Sequence, residues 1–426
     1  MKTKLYIFVL LLPLFVSAQE RLHTGIFAEG FASLRIAYTQ DVEEDENGDA
    51  YEDDYLQTTN IQHPYLVLGG KEKEFEISFD ELTTEQRQLS YRLVHLNADY
   101  TMSDLQEQEY TWGVNRQSID DYEMSRTTQQ PYIHYRFTFP NDALEPTISG
   151  NYCLQVFEDT DPEYTLMQIA FYVVDPHVKT KAVVRSRTDI ELSGRYQQVD
   201  IEVETKKLKL TDPQQITVIV QQNNRWDNAV MMQKPSFIQT GKLQYINERL
   251  LIFEGGNEYR HFDLSSEYMK GWHVERIDFD HTYYHAFLET DKTRADEPYL
   301  SEQDGNGIFR IHRERAIDSD TDADYMFVYF FLEAEKQWLD GSVYVAGDGW
   351  YNRFSEQNRM KYDDKHHCYY LSSYLKQGAY EYQYLFVPAF SEDYSTQKCE
   401  GSHWQTENEY TVYVYYRPLG GRYDQL

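Results

Sequence analysis

Apolar and aromatic residues recur along this chain in short runs with a period of two, the pattern of strands that bury one face. Between 64 and 176 the candidates lie at 65–68, 74–79, 89–96, 132–139, 150–157 and 166–174, with turn formers such as Ser149-Gly150-Asn151 between them. Six or seven short strands in about 110 residues predict an immunoglobulin-like sandwich. The polar connection 98–130, which holds Trp112, is too long for an ordinary loop. A second series begins near Lys181. Val199, Ile201 and Val203 share one face of a strand over 196–204, and Ile216, Val218 and Val220 repeat the pattern. Strands follow at 272–279, 284–288 and 308–311, and Asp304-Gly305-Asn306-Gly307 predicts a hairpin turn after Tyr299. A third series runs through 325–332, 343–350, 369–375, 380–387 and 410–416. The fold class expected is all-β, with tandem immunoglobulin-like or E-set β-sandwich domains at 19–176, 177–317 and 318–426.

The first eighteen residues follow different rules. Lys2 and Lys4 precede an apolar run over 5–16, and Val16-Ser17-Ala18 suits signal peptidase, so 1–18 reads as a signal peptide with the mature chain starting at Gln19. No cysteine sits at the cleavage point, which argues against a lipid anchor there. No other run approaches the roughly 18 apolar residues of a membrane helix. The expectation is an exported, periplasmic protein that does not insert into the membrane.

Composition narrows the partners. With 71 Asp and Glu against 40 Lys and Arg, the formal charge is −31. That excludes nucleic acid and anionic lipid surfaces, which need clustered cations, and leaves a cationic patch or basic barrel rim. Nine of the fourteen residues over 41–54 are acidic, a solvated loop by this reading. Asp318, Asp320, Asp322 and Asp324 alternate, but Ala323 and Tyr329 stand where a calcium loop needs Gly and Glu. Three cysteines, Cys153, Cys368 and Cys399, make a poor disulfide framework, although Cys368 and Cys399 could pair. His366, His367, Cys368, Cys399 and His403 invite a zinc reading, yet their spacing matches no standard site. No metal or cofactor is expected. Nor is an enzyme, since the nucleophile elbow, the His-Glu-x-x-His pair and the phosphate-binding glycine loop are all missing from the sequence.

Two polar clusters resist this strand reading. Arg225-Trp226-Asp227-Asn228 and Gly255-Gly256-Asn257-Glu258-Tyr259-Arg260 each follow a strand-like run, and Gly-Gly-Asn calls for a tight turn. In the extended chain beyond it, Glu258, Arg260 and Phe262 point one way and Tyr259, His261 and Asp263 the other. One reading makes these residues a hairpin whose Arg and Asp satisfy each other. The other makes Arg225, Trp226, Asp227, Asn228, Gly255, Gly256, Asn257, Glu258 and Arg260 a partner-binding surface.

Two resemblances bear on this choice. Val343-Tyr344-Val345-Ala346-Gly347 leading to Trp350, with Gly378-Ala379-Tyr380-Glu381-Tyr382 later, is similar to glycogen-binding carbohydrate modules and makes Trp350 a candidate glycan platform. The wider resemblance rests on Arg225-Trp226-Asp227-Asn228-Ala229, on 253–263, on Glu400-Gly401-Ser402, on Thr406-Glu407-Asn408-Glu409-Tyr410 and on the terminal 415–426. In these motifs the chain resembles the plug protein family of the type IX secretion system, with Tyr259 where the pattern has Phe. The resemblance implies a periplasmic protein, monomeric on its own, that seals the outer-membrane translocon barrel at rest. It assigns no catalytic residue. The alternative is a periplasmic glycan-binding protein of tandem sandwich modules. Intact-mass measurement of the exported protein should give a chain beginning at Gln19; retention of 1–18 in the membrane fraction would instead make that segment an anchor.

Overall fold

The computed structural model describes residues 21–39, 60–70, 74–189, 193–208, 210–391 and 394–426. The leader, its cleavage point and the acidic segment 41–54 lie outside the described residues. The chain is nearly all β, arranged as three sandwiches.

In the first, one sheet runs Gly25–Ile26, Asp161–Val174, Gly150–Glu158, Leu89–Leu96, Gln117–Ile119, with Tyr65–Val67 parallel to Asp161–Val174. The facing sheet runs Phe31–Tyr38, Phe75–Glu81, Ile133–Phe139, Asp121–Met124. Ile77, Phe79, Tyr135, Leu154, Val156 and Phe171 fill the space between them. The long connection 98–130 is built rather than loose. A turn of helix at Glu107–Tyr110 and short strands at Thr111–Gly113, Gln117–Ile119 and Asp121–Met124 occupy it.

The second sandwich sets Lys179–Arg185, Tyr196–Glu204, Lys242–Tyr245 and Phe237–Gln239 against Arg225–Met232, Ile216–Gln222 and Tyr410–Tyr416. Val199, Ile201 and Val203 meet Ile216, Val218 and Val220 in its core, as their alternation dictates. The third sets Arg260–Asp263, Gly378–Pro388, Phe309–Ile311 and Gly341–Ala346 against Val274–Phe279, Tyr284–Leu288, Tyr325–Glu333, Cys368–Lys376 and Lys361–Asp363. Its core includes Phe262, Val328, Phe330, Val343, Tyr380 and Tyr382.

The sheets cross the boundary expected at 317. Strands from Arg260–Asp263 to Phe309–Ile311 join the third sandwich, and Tyr410–Tyr416 returns to pair along the whole of Ile216–Gln222. The pairing is non-local, and local periodicity carries no record of which distant strand supplies the missing edge. The turn expected after Tyr299 is also not a hairpin, because Phe309–Ile311 pairs with Gly378–Pro388 instead.

Two interfaces of different chemistry lock the first sandwich to the other two. Every residue of Ile216–Gln222, and all but the last of Gly150–Glu158, is buried, because both faces of those strands are covered. Leu154 and Ile216 face their own cores, while Cys153 and Ile219 face a shared cluster with Tyr100, Tyr172, Tyr413 and Tyr415. Between the first and third sandwiches the contact is ionic. Asp80 meets the Lys376 ammonium at 2.5 Å, the Tyr325 hydroxyl at 2.7 Å and His134 Nδ1 at 2.7 Å, all buried. Arg35 meets Asp320 at 2.7 Å beside it, and Lys376 lies 4.3 Å from the centre of the Tyr132 ring. Burial alone would raise the Asp80 carboxyl, but the Lys376 ammonium and His134 outweigh it and hold it below the usual carboxylate range.

Removing one member of such a pair strands a charge in the interior. Lys376→Met should therefore lower the unfolding free energy by about 3–5 kcal/mol, whereas Arg359→Ala, at an exposed pair with Glu356, should change it by less than about 0.5 kcal/mol. Denaturant titration of both variants checks the contrast.

Candidate functional site

The first polar cluster begins with a two-residue hairpin. Asn223 and Asn224 take φ of 51° and 52°, conformations that Asn tolerates, and Gln222 pairs with Arg225 across them. Arg225 is only 5% exposed. Its guanidinium forks onto Asp227, Nε to Oδ1 at 3.1 Å and Nη2 to Oδ2 at 2.5 Å. Burial would lower the Arg225 pKa, and Asp227 more than restores it, so the cation is kept. Trp226 turns to the other face. It packs on Tyr100 with ring centres 4.5 Å apart and stacks on His23 and Tyr413, at the seam between the first and second sandwiches. Asn228 donates to Gln222.

The second cluster threads the joint between the second and third sandwiches. A Cβ on Gly255 would lie 2.0 Å from the His403 carbonyl oxygen, and Gly256 has φ +66°. Only glycine admits this close approach followed by a left-handed turn. Asn257 donates to the Glu400 carbonyl. Glu258 is 2% exposed and accepts from the Tyr299 hydroxyl and the Glu407 amide; burial pushes its carboxyl up. Arg260 is saturated by Glu400, Asp291 and the Lys292 carbonyl. Glu400 is fully buried and also accepts from Arg294 and the Tyr384 amide. Burial would raise its carboxyl, but Arg260 and Arg294 hold it low.

Arg225, Gly255, Gly256, Asn257 and Glu258 are buried, and Trp226, Asp227, Asn228 and Arg260 half-buried. Their polar groups are spent on internal partners, which favours the self-satisfied hairpin over the partner-binding surface. The alternation over 258–263 is present, but Tyr259 on the opposite face is also buried, with Gln383 donating to its hydroxyl. The glycan platform is disfavoured on the same grounds. Trp350 is 9% exposed, packs edge-on to Phe330 and donates its indole N–H to Ser373, so it offers no open ring face. Cys368 and Cys399 are separate buried thiols. The alternating aspartates have protein partners: Asp320 takes Arg35, Asp322 accepts the Ile317 amide, and Asp324 accepts the Gln129 and Gln130 amides.

A feature that periodicity could not reveal lies where all three sandwiches meet. Asn60 bonds to Ile36 and Phe309, Gln62 to the Asn306 carbonyl, and His63 to Tyr413 and Thr411. This short strap therefore touches each sandwich in turn. Beside it, Asp348 accepts from Asn352 and Asn224, and Glu381 accepts the amides of Gly305 and Gly307. Burial pushes the Asp348 carboxyl up to about 7, with Glu381 adding to the rise. Burial likewise pushes Glu381 up to about 7, with Asp304 adding to it against the Gly307 and Gly305 amides.

A family model described as the type 9 secretion system plug protein first domain matches residues 53–175. The chain belongs to the type IX secretion system plug family. It is also similar to a hypothetical protein from Parabacteroides merdae ATCC 43184 of known crystal structure, at 37% identity and a TM-score of 0.88, covering 96% of this chain and 98% of that one. No curated protein matches it. Family membership points to a role in type IX secretion, and with the all-β fold to a non-enzymatic, structural one. Among the described residues no helix is long and apolar enough to cross a membrane.

For Asp348 and Glu381 the folded state holds a proton that the unfolded chain releases near pH 4. The contribution of these two groups to stability therefore falls as pH rises from about 4 to about 7, by at most about 1.4 kcal/mol per pH unit for each. Asp348→Asn keeps the accepting oxygen and removes one of these groups. Its melting temperature should fall less than that of the wild type between pH 5 and pH 8, read by circular dichroism at matched ionic strength.

Proposed function

We propose that this chain is the resting-state plug of the type IX translocon, a periplasmic body held at the outer membrane by the secretion barrel whose inner mouth it closes. The match of 53–175 to the plug first domain carries this reading. The construction supports it in physical terms. A gate must be stiffer than the loops that contact it, and here three sandwiches share a buried ionic joint, an aromatic seam and a strap across their meeting point. The body has no catalytic part in this reading, and a single copy suffices.

The polar clusters take a supporting role in this proposal. Arg225 with Asp227 shapes the hairpin that delivers Trp226 to the aromatic seam. Arg260 ties the strand Arg260–Asp263 to Asp291 and Glu400 and so fixes the base of the loop that follows. Both act by holding surface loops in place, not by touching the barrel.

Affinity-tagged chain, captured from outer membranes solubilised in mild detergent, should bring down a large outer-membrane barrel in near-equal amount. Arg260→Ala should lower the stability of the purified chain by about 3–5 kcal/mol through the uncompensated Glu400 and Asp291, and reduce barrel recovery in proportion to the folded protein left. Wild-type chain that recovers no barrel would sink the proposal.

A further inference from the structure

The third sandwich carries an open cavity of about 530 Å³ that none of the features above explains. The loop after Arg260–Asp263 builds one wall. It closes on itself where the Asp263 amide donates to the Trp272 carbonyl, and a Cβ on Gly271 would lie 2.1 Å from the Asp263 carbonyl oxygen. That close return puts Trp272 on the rim. One face of its ring stacks on His261, with planes 13° apart and centres 5.5 Å apart, yet the residue is 64% exposed. Pro298, Tyr299 and Leu300 form the other wall, and Leu300 is 75% exposed.

The charges around the cavity fall into two classes. Arg260, Arg294 and Asp291 line it but are used up internally: Arg260 and Arg294 bind Glu400, Arg260 also binds Asp291, and Arg294 donates to the Glu258 carbonyl. Glu297 and Glu302 also line it, are exposed, and enter no ion pair or side-chain hydrogen bond with any described residue. What the cavity presents to a ligand is thus an indole face held rigid from behind, two uncommitted carboxylates and an apolar wall. A planar cation that stacks on an aromatic face while donating to a carboxylate is the complementary shape, and guanidinium has that geometry. A −31 chain would draw such a group in from solution.

We propose that this cavity is a docking pocket for an arginine side chain on a basic segment of a protein partner. Resting on the plug reading, that partner is the periplasmic rim of the secretion barrel. The Trp272 ring receives the guanidinium, Glu297 and Glu302 accept its N–H groups, and Leu300 with Pro298 covers the aliphatic stem.

The test uses the full chain and a fluorescein-labelled Gly/Arg peptide with four arginines, beside the same peptide with citrulline in their place. By fluorescence anisotropy the arginine peptide should bind at least ten times more tightly than the citrulline peptide. Trp272→Ala, and separately Glu297→Gln with Glu302→Gln, should each weaken binding at least tenfold without moving the melting temperature, since all three side chains are exposed. Glu163→Gln with Glu335→Gln removes the same charge outside the cavity lining and should leave binding unchanged. Equal losses from the two double variants would reduce the effect to bulk charge and overturn the pocket, as would full binding by Trp272→Ala. Displacement of the peptide by a neutral hexasaccharide, in a Trp272-dependent way, would make it a glycan site and overturn the proposal too. Barrel capture separates the two claims. Equal capture by wild type and Trp272→Ala overturns the pocket alone, while Trp272-dependent peptide binding without any capture overturns the plug reading alone.

Discussion

The contact between Asp80 and Lys376 sets the geometry on which the rest of the molecule depends. Two acids, two bases and a histidine meet where the first and third sandwiches touch, all of them removed or nearly removed from water. Burying ions offsets most of what their attraction contributes, so such a cluster adds little net stability. What it imposes is alignment. An apolar interface of the same area could slide or rotate with small losses, but here any misalignment leaves a charge in the interior without its partner. The Tyr325 and Tyr132 hydroxyls complete the coordination, donating to Asp80 and to the carbonyls of Asp320 and Ala323.

The second sandwich is attached by different means, and they account for the unusual composition. The chain holds 38 tyrosines, and the buried ones serve as large apolar bodies whose hydroxyls end on a partner. Tyr100 donates to Tyr172, Tyr415 to Asn151, and Tyr382 and Tyr384 both to Asp291. A phenylalanine would fill the same volume and leave those acceptors bare. The acidic excess is explained in part by the same economy: Asp80, Asp291 and Glu400 work inside the protein, joining elements far apart in sequence. Glu258, Asp324 and Asp348 are buried as well, while exposed acids such as Glu297 and Glu302 set the charge that a partner meets.

Interior and surface polar residues look alike along the chain, and this explains why the two polar clusters read as a contact surface. Arg225, Glu258 and Arg260 have the composition of a binding patch because a buried joint between sandwiches uses the same chemistry, paired charges around glycine turns. Only the partners separate the two cases. Glu400 stands 140 residues from Arg260, and no spacing rule connects them. Trp350 and Trp272 make the same point in reverse. The tryptophan in the more familiar motif packs inside, while the one in a polar loop stands open.

Read alone, the sequence determined that the protein is all-β, where most strands lie and which family it belongs to. Alternation over 196–204 and 216–220 follows from the two-residue repeat of a strand, and turn glycines announce themselves through backbone sterics; both are local. Tertiary structure decided how the strands were shared. Tyr410–Tyr416 completes a sheet begun two hundred residues earlier, and Arg260–Asp263 leaves its sequence neighbours for Gly378–Pro388. It also decided which side chains remain open to a partner. Both outcomes depend on which distant surfaces meet, and burial belongs to the meeting rather than to either segment.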